Sequence, residues 1–307
     1  GLSSDRSNEL AHLNPQTMVW RKVVPQPDPL YPKRAIPPSP RSGHVAICAK
    51  SSHSIIFYGG ETEGELQAVE QIVQGNDDKS MFPLTSKKVD RNRMLVEDDL
   101  MYRFDYRREQ WTMLAPSPNP GPRYAPSLTT LKKPNTALLF GGVSTEMIKP
   151  ATPSNSPDKN NAADDENARV HRPVRPKKTW VFKNDIWLLN TSTNEFTAMD
   201  TTGKPPAARA GHSAICVNTS SMLVFGGMHK EPHAPYDVYE LKLTAQPMCW
   251  VTIHTHGIVP GPRICATTFM SPYDMSSVYL FGGTLKGDGH EVLMYDHGQY
   301  KWSRVPA

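Results

Sequence analysis

Four arginines stand at a near-constant distance ahead of a Gly-Gly pair. Arg41, Arg123, Arg209 and Arg263 precede the first Gly by 18, 18, 17 and 19 residues. A guanidinium is a planar fork of donors and can hold a carboxylate through two parallel hydrogen bonds. Four of them near one mouth of a channel could therefore bind an acidic partner. They could equally tie neighbouring strands together through hydrogen bonds, which is the structural use of the same donors. Histidines raise a second chemistry. His44 and His212 sit in matching segments, Gly43-His44-Val45-Ala46-Ile47-Cys48 and Gly211-His212-Ser213-Ala214-Ile215-Cys216, so their recurrence is read as architectural. His254 and His256 would share a strand face, with His229 and His233 upstream, but no Cys, Asp or Glu at fixed spacing completes a metal set, and no metal or other cofactor is expected.

The remaining chemistry is sparse. Cys48, Cys216, Cys249 and Cys265 are far apart and form no CxxC, which argues against a zinc module and against a dense disulfide framework. Cys48, Cys216 and Cys265 fall on or near strands where a small apolar side chain suits core packing. No GxSxG, P-loop or HExxH pattern occurs, so the chain reads as a non-enzyme. What is left is positive charge in two clusters: Lys87, Lys88, Arg91 and Arg93, then Arg169, Arg172, Arg175, Lys177 and Lys178. Lys33 and Arg34 form a smaller group. Such a rim would attract an acidic protein surface or a phosphate backbone, whereas the bland reading is a solvated loop, partly neutralised by Asp164, Asp165 and Glu166.

The elements that must carry these residues follow from the repeat. Gly59-Gly60, Gly141-Gly142, Gly226-Gly227 and Gly282-Gly283 each close a short apolar run, Ile55–Tyr58, Ala137–Phe140, Met222–Phe225 and Val278–Phe281. Downstream comes a strand with period-two character and then an aromatic residue: Trp20, Trp111, Phe196, Trp250 or Trp302. Asn14 to Trp20 and Asp296 to Trp302 share a step of six. Each unit therefore reads as four short strands. One such sheet cannot bury both faces, but sheets set radially cover one another and leave short edges.

The order Gly-Gly, Tyr or Trp, then Trp resembles the kelch-repeat family, and the resemblance covers nearly all of the chain outside two insertions. It implies an all-β fold, a kelch-type β-propeller of four-stranded antiparallel blades. Departures are local: Phe196 stands where the family has Trp, and Leu293 where an aromatic residue is usual. Some kelch-like propellers resemble a copper oxidase with Tyr and His ligands, and no counterpart of that site is recognisable.

The expected organisation is a single propeller portion over 1–307. It comprises a half blade at 1–24, then blades at 37–116 with an insert at 61–98, at 117–200 with an insert at 143–183, at 201–256, and at 257–307. That is about four and a half blades. Because the resemblance implies six or seven, the natural polypeptide is expected to be longer. In an antiparallel meander the second-to-third loops lie on the face that carries the blade linkers, so both inserts should leave from that face, with the connection 24–40 beside them. Within the first insert, Leu66, Val69, Ile72 and Val73 have helical spacing, predicting a short helix over 64–73.

Twenty Gly, 29 Pro and a formal charge of +4 fit a chain of many short elements and exclude no partner class by charge alone. No apolar run is long enough for a membrane-spanning helix. The expected function is a protein-protein interaction scaffold that binds a macromolecular partner through the inserted face, within a larger assembly. RNA contact through the basic inserts is one alternative. Resemblance to kelch proteins adds substrate recognition for a ubiquitin ligase and cytoskeletal or ciliary adaptors. A cytoplasmic location is the default from cysteine usage, with the cytoskeleton, cilium or nucleus also open.

Overall fold

The computed structural model describes residues 9–26, 37–65, 94–97, 101–114, 119–148, 177–230, 238–274, 276–283 and 291–305. A half blade of β1 (Leu10–Asn14) and β2 (Val19–Val23) leads through β3 (Arg41–Ser42) into blade 1. Blade 1 is the sheet β4 (Val45–Ala49), β5 (Ser54–Tyr58), β8 (Met101–Asp105) and β9 (Gln110–Met113). The insert strands β6 (Glu61–Glu65) and β7 (Met94–Glu97) stand between β5 and β8. Blade 2 is β10 (Ser127–Thr130), β11 (Thr136–Phe140), β14 (Ile186–Asn190) and β15 (Glu195–Met199), interrupted by β12 (Val143–Ile148) and β13 (Lys177–Phe182).

Blade 3 starts with two linker strands, β16 (Thr201–Gly203) and β17 (Arg209–Ala210). It continues with β18 (Ser213–Cys216), β19 (Ser221–Phe225), the short β20 (Met228–His229), β21 (Val238–Lys242) and β22 (Met248–Ile253). Blade 4 is β23 (His256–Gly257), β24 (Thr267–Met270), β25 (Ser277–Phe281), β26 (Val292–Asp296) and β27 (Lys301–Arg304). Within every blade the four main strands pair antiparallel in sequence order. Linkers β16 and β23 then add a fifth, parallel strand outside β22 and β27. The innermost strands touch in succession, β4 with β10, β10 with β18 and β18 with β24.

The core lies between blades rather than inside one. Ile56, Tyr58 and Met101 of blade 1 meet Leu139 and Leu189 of blade 2. Leu138 and Phe140, from the opposite face of β11, meet Val224, Leu241 and Trp250 of blade 3. Leu223 and Phe225 in turn meet Leu280, Tyr295 and Trp302 of blade 4. The second strands β11 and β19, with a blade on each side, are thus buried on both faces, which is why their sequences are continuous apolar runs instead of alternations. The half blade follows the same plan, with Val23 and Leu10 against Phe104 and Trp111.

The step of six between Asn14 and Trp20, and between Asp296 and Trp302, is a side-chain-capped turn. Asn14 Oδ1 accepts the Gln16 N–H at 2.9 Å, Asp105 Oδ1 accepts those of Arg107 and Arg108 at 2.9 Å, and Asp296 Oδ1 accepts that of Gln299 at 3.0 Å. The residue before the outer strand then takes a left-handed φ, as at Met18, Glu109, Asn194 and Tyr300. Short polar side chains close such turns locally without help from the rest of the fold.

Two expectations need correction. Neither insert leaves the blade as a loop: β6 pairs with β7 and β12 with β13, so each starts and ends as an antiparallel ribbon. The helix expected over 64–73 does not begin where the spacing put it, because Gly64 and Glu65 belong to β6 and Glu65 pairs with Met94. Residues 66–73 lie outside the described residues.

Candidate functional site

The arginine repeat is the clearest constellation. Each guanidinium binds the carbonyl of the first Gly in its own blade: Arg41 to Gly59 at 3.0 Å, Arg123 to Gly141 at 2.8 Å, Arg209 to Gly226 at 2.6 Å and Arg263 to Gly282 at 2.8 Å. All four are buried, at 2 to 7% exposure, which leaves little surface for an outside carboxylate. Acidic partners come from the chain itself. Arg123 holds Asp185 through both oxygens at 2.6 Å, and Arg263 meets Glu291 at 2.9 Å. Burial pushes the Asp185 carboxyl up, but the hydrogen bonds and charge of Arg123, helped by Trp187, hold it below the ordinary carboxylate range. Arg41 and Arg209 lie over the rings of Tyr102 and Tyr239, 4.9 Å from each centroid.

The tie between blades runs through the backbone of the same arginines. Gly60, Gly142 and Gly227 donate their N–H groups to the carbonyls of Arg123, Arg209 and Arg263 in the following blade, at 2.8, 2.8 and 2.9 Å. A Cβ on Gly59 or Gly226 would stand 2.5 Å from the next Arg carbonyl oxygen, so Gly is required there by close approach as well as by its positive φ.

The matched histidines differ. His212 is buried, bonds Ser127 Oγ of blade 2 at 2.8 Å and meets Phe140 edge-on at 5.0 Å. Burial first, and then the Arg209 charge, lowers its pKa to about 3. His44 is exposed and lies 5.9 Å from Phe57 of its own blade. His254 follows β22 and His256 begins β23, so the two do not share a strand. His233 lies outside the described residues, among which no group of three metal-ligating side chains occurs. The cysteines also part company, since Cys216 is buried while Cys48 and Cys265 are exposed. Core packing therefore accounts for one of the three.

The expected face can be traced through the linkers. Arg41 and Ser42 pair with Thr62 and Glu61 at the base of the first insert, Tyr124 bridges Val143 at the base of the second, and Arg209 and Ala210 pair with His229 and Met228. The second ribbon has a small core of its own, with Trp180 and Phe182 against Val143 and Ala210, and Tyr124 beside them. Both insert bases are thus fixed to the segments that carry the arginines. Lys177 and Lys178 belong to β13, opposite Ile148 and Met147. Lys33, Arg34, Lys87, Lys88, Arg91, Arg93, Arg169, Arg172 and Arg175 lie outside the described residues.

One set of residues escaped the sequence reading. In blades 1 and 3 the third residue of the third strand faces the outer turn of the next blade. Arg103 donates to Thr191 O at 2.7 Å and to Asn194 Oδ1 at 2.6 Å. At the same register Glu240 lies 3.8 Å from His297, with Ser221 at 2.5 Å and Lys242 at 2.9 Å. Arg103 and Glu240 hold the same place in their third strands, yet opposite charges at one position show no shared pattern until the neighbouring turn is seen.

Residues 175–307 match the family model of the KLHDC2/KLHL20/DRC7 Kelch-repeats domain. Tip elongation aberrant protein 1 of Schizosaccharomyces pombe is 32% identical over 104 residues, 34% of this chain and 9% of that protein. The Rab9 effector protein with kelch motifs of Bos taurus is 30% identical over 96 residues, 29% of this chain and 26% of that protein. Rho GTPase-activating protein gacHH of Dictyostelium discoideum is 31% identical over 86 residues, 26% of this chain and 5% of that protein. The matched stretches thus take up about a quarter or less of these relatives' lengths. With the Arg, Gly-Gly and aromatic signature placed alike in all four blades, the chain has the fold of a kelch-type β-propeller, and its residues 175–307, which hold blades 3 and 4, match the kelch-repeat family model.

Proposed function

We infer that this propeller is a non-catalytic scaffold that grips a protein partner on the face carrying the two inserts. The observation that carries the reading is the anchoring of both ribbons, β6–β7 and β12–β13, to the Arg-bearing linkers on one face. A ribbon held at its base fixes where each insert leaves the blade, which lowers the ordering cost of binding there. The Rab9 effector and tip elongation relatives support a binding role of the general kind and leave the partner's identity open. The basic residues assigned to partner contact, Lys87, Lys88, Arg91, Arg93, Arg169, Arg172, Arg175, Lys177 and Lys178, would meet an acidic protein surface. The buried Arg41, Arg123, Arg209 and Arg263 would support that face from beneath it.

The test is recovery of bound proteins and RNA from cells, comparing the intact chain with one in which residues 61–98 and 143–183 are replaced by turns. Loss of protein partners with the shortened form supports the reading. Retention of the same partners overturns it. RNA recovered in place of protein, released steeply by salt and abolished by reversing Lys87, Lys88, Arg172 and Arg175 to Glu, would replace it with a ribonucleoprotein role.

A further inference from the structure

Opposite the inserts, the first-to-second and third-to-fourth turns of blades 1 and 2 carry exposed cations: Lys50, Arg107, Arg108, Lys132 and Lys133. Hydrogen bonds lock these turns into one surface. Tyr106 N–H donates to His53 O at 3.2 Å and Thr191 N–H to Asn135 O at 2.9 Å, joining the two turns within each blade. Ser51 bonds Asn135, and Arg103 reaches Thr191 and Asn194, joining blade 1 to blade 2. The Arg107–Arg108 turn is held from below by Asp105 Oδ1.

The acids nearby are spent or peripheral. Asp105 accepts two turn N–H groups, and Glu109 is held by Arg21 of the half blade, whose hydrogen bond keeps its carboxyl below the usual range. Glu195 is exposed at the outer edge, where β15 begins. Among the described residues, no ion pair of Lys50, Arg107, Arg108, Lys132 or Lys133 occurs.

We propose that this turn face of blades 1 and 2 is a second interaction surface, and that its partner is an acidic polypeptide segment. Carboxylates suit it in two ways. The adjacent Arg107 and Arg108 offer fork donors, and Ser192 and Thr193 are exposed hydroxyls on the outer turn of blade 2. Single-stranded nucleic acid would call for a row of aromatic platforms, and Tyr106 is the one large aromatic side chain exposed on these four turns.

The experiment uses the full chain with Lys87, Lys88, Arg172 and Arg175 changed to Glu, which weakens competition from the insert face. A fluorescein-labelled deca-glutamate peptide is titrated at low salt and followed by anisotropy. Reversing Arg107, Lys132 and Lys133 to Glu in that background weakens binding about tenfold, because each rim charge contributes modestly. Reversing the exposed Lys204, Lys230 and Lys301 changes net charge equally and should leave affinity within about twofold. Equal loss in both variants would overturn the proposal in favour of a diffuse charge effect. So would binding of an oligouridylate or of phosphatidylserine vesicles with no binding of the peptide. Because every variant carries the same four insert reversals, the difference between variants stands apart from the fate of the insert-face reading.

Discussion

Gly60 donates its N–H to the Arg123 carbonyl at 2.8 Å across the boundary between blades 1 and 2, while the Arg123 guanidinium turns back to the Gly141 carbonyl of its own blade. One residue thus joins its blade to the one before and closes its own second strand. The same linkage recurs from Gly142 to Arg209 and from Gly227 to Arg263, which makes the Gly-Gly pair an inter-blade contact as much as a turn.

Gly226 and Gly282 separate those two roles. Both have a left-handed φ, +62° and +70°, but a Cβ on Gly226 would lie 2.5 Å from Arg263 O, whereas one on Gly282 meets nothing within 4 Å. Gly282→Ala should therefore lose only the conformational cost, about 1–2 kcal/mol. Gly226→Ala should lose about 1–3 kcal/mol more, since the next blade's backbone must move. Urea unfolding of the two variants checks the difference.

Arg123→Lys should behave almost like Arg123→Met. The fork serves Gly141 O and both Asp185 oxygens at once, and an ammonium cannot reproduce that geometry. A loss of about 2–3 kcal/mol is expected for either, tempered by the partial exposure of Asp185. Full stability in the Lys variant, read from the denaturation midpoint, would contradict a bidentate role.

Trp302 and Trp20 occupy the same repeat position with opposite surroundings. Trp302 is 2% exposed against Phe225 of the preceding blade, whereas Trp20 is 65% exposed on the half blade. Trp302→Ala should cost about 3–5 kcal/mol, and Trp20→Ala less than about 0.5 kcal/mol. Thermal melts of the two proteins decide it.

Acid should weaken the contact between blades 2 and 3 through His212. Its pKa is lowered to about 3 in the folded chain from an ordinary 6.5, so the unfolded chain takes up the proton first. Stability is therefore fully present above pH 6.5 and is lost as pH falls from there towards about 3, with a slope of roughly 1.4 kcal/mol per pH unit for the one proton. In His212→Phe that part of the slope should vanish, as measured by urea unfolding at a series of pH values. An unchanged slope would mean that His212 ionises freely in the fold.

The repeat was legible because its parts are local or periodic. Gly-Gly at positive φ, the Asn14, Asp105 and Asp296 turns, and the buried runs around Phe140 and Phe225 each leave a mark in a few adjacent residues. The insert bases were missed for the opposite reason. β12 and β13 pair residues 29 to 39 positions apart, and neither arm carries a turn signal that announces the other.

The amino-acid order by itself determined the number of blades in this chain, their strand order, and the face from which the inserts depart, since a meander of short apolar strands with fixed spacing has one way to cover both sides. Only the tertiary structure decided what the chemical groups do. It turned Arg41, Arg123, Arg209 and Arg263 inward to carbonyls and to Asp185 and Glu291, and it buried His212 while exposing His44. It also gathered Lys50, Arg107, Arg108, Lys132 and Lys133 onto one surface. Burial and partner depend on the neighbouring blade, and that neighbour is set by packing between residues far apart in the chain.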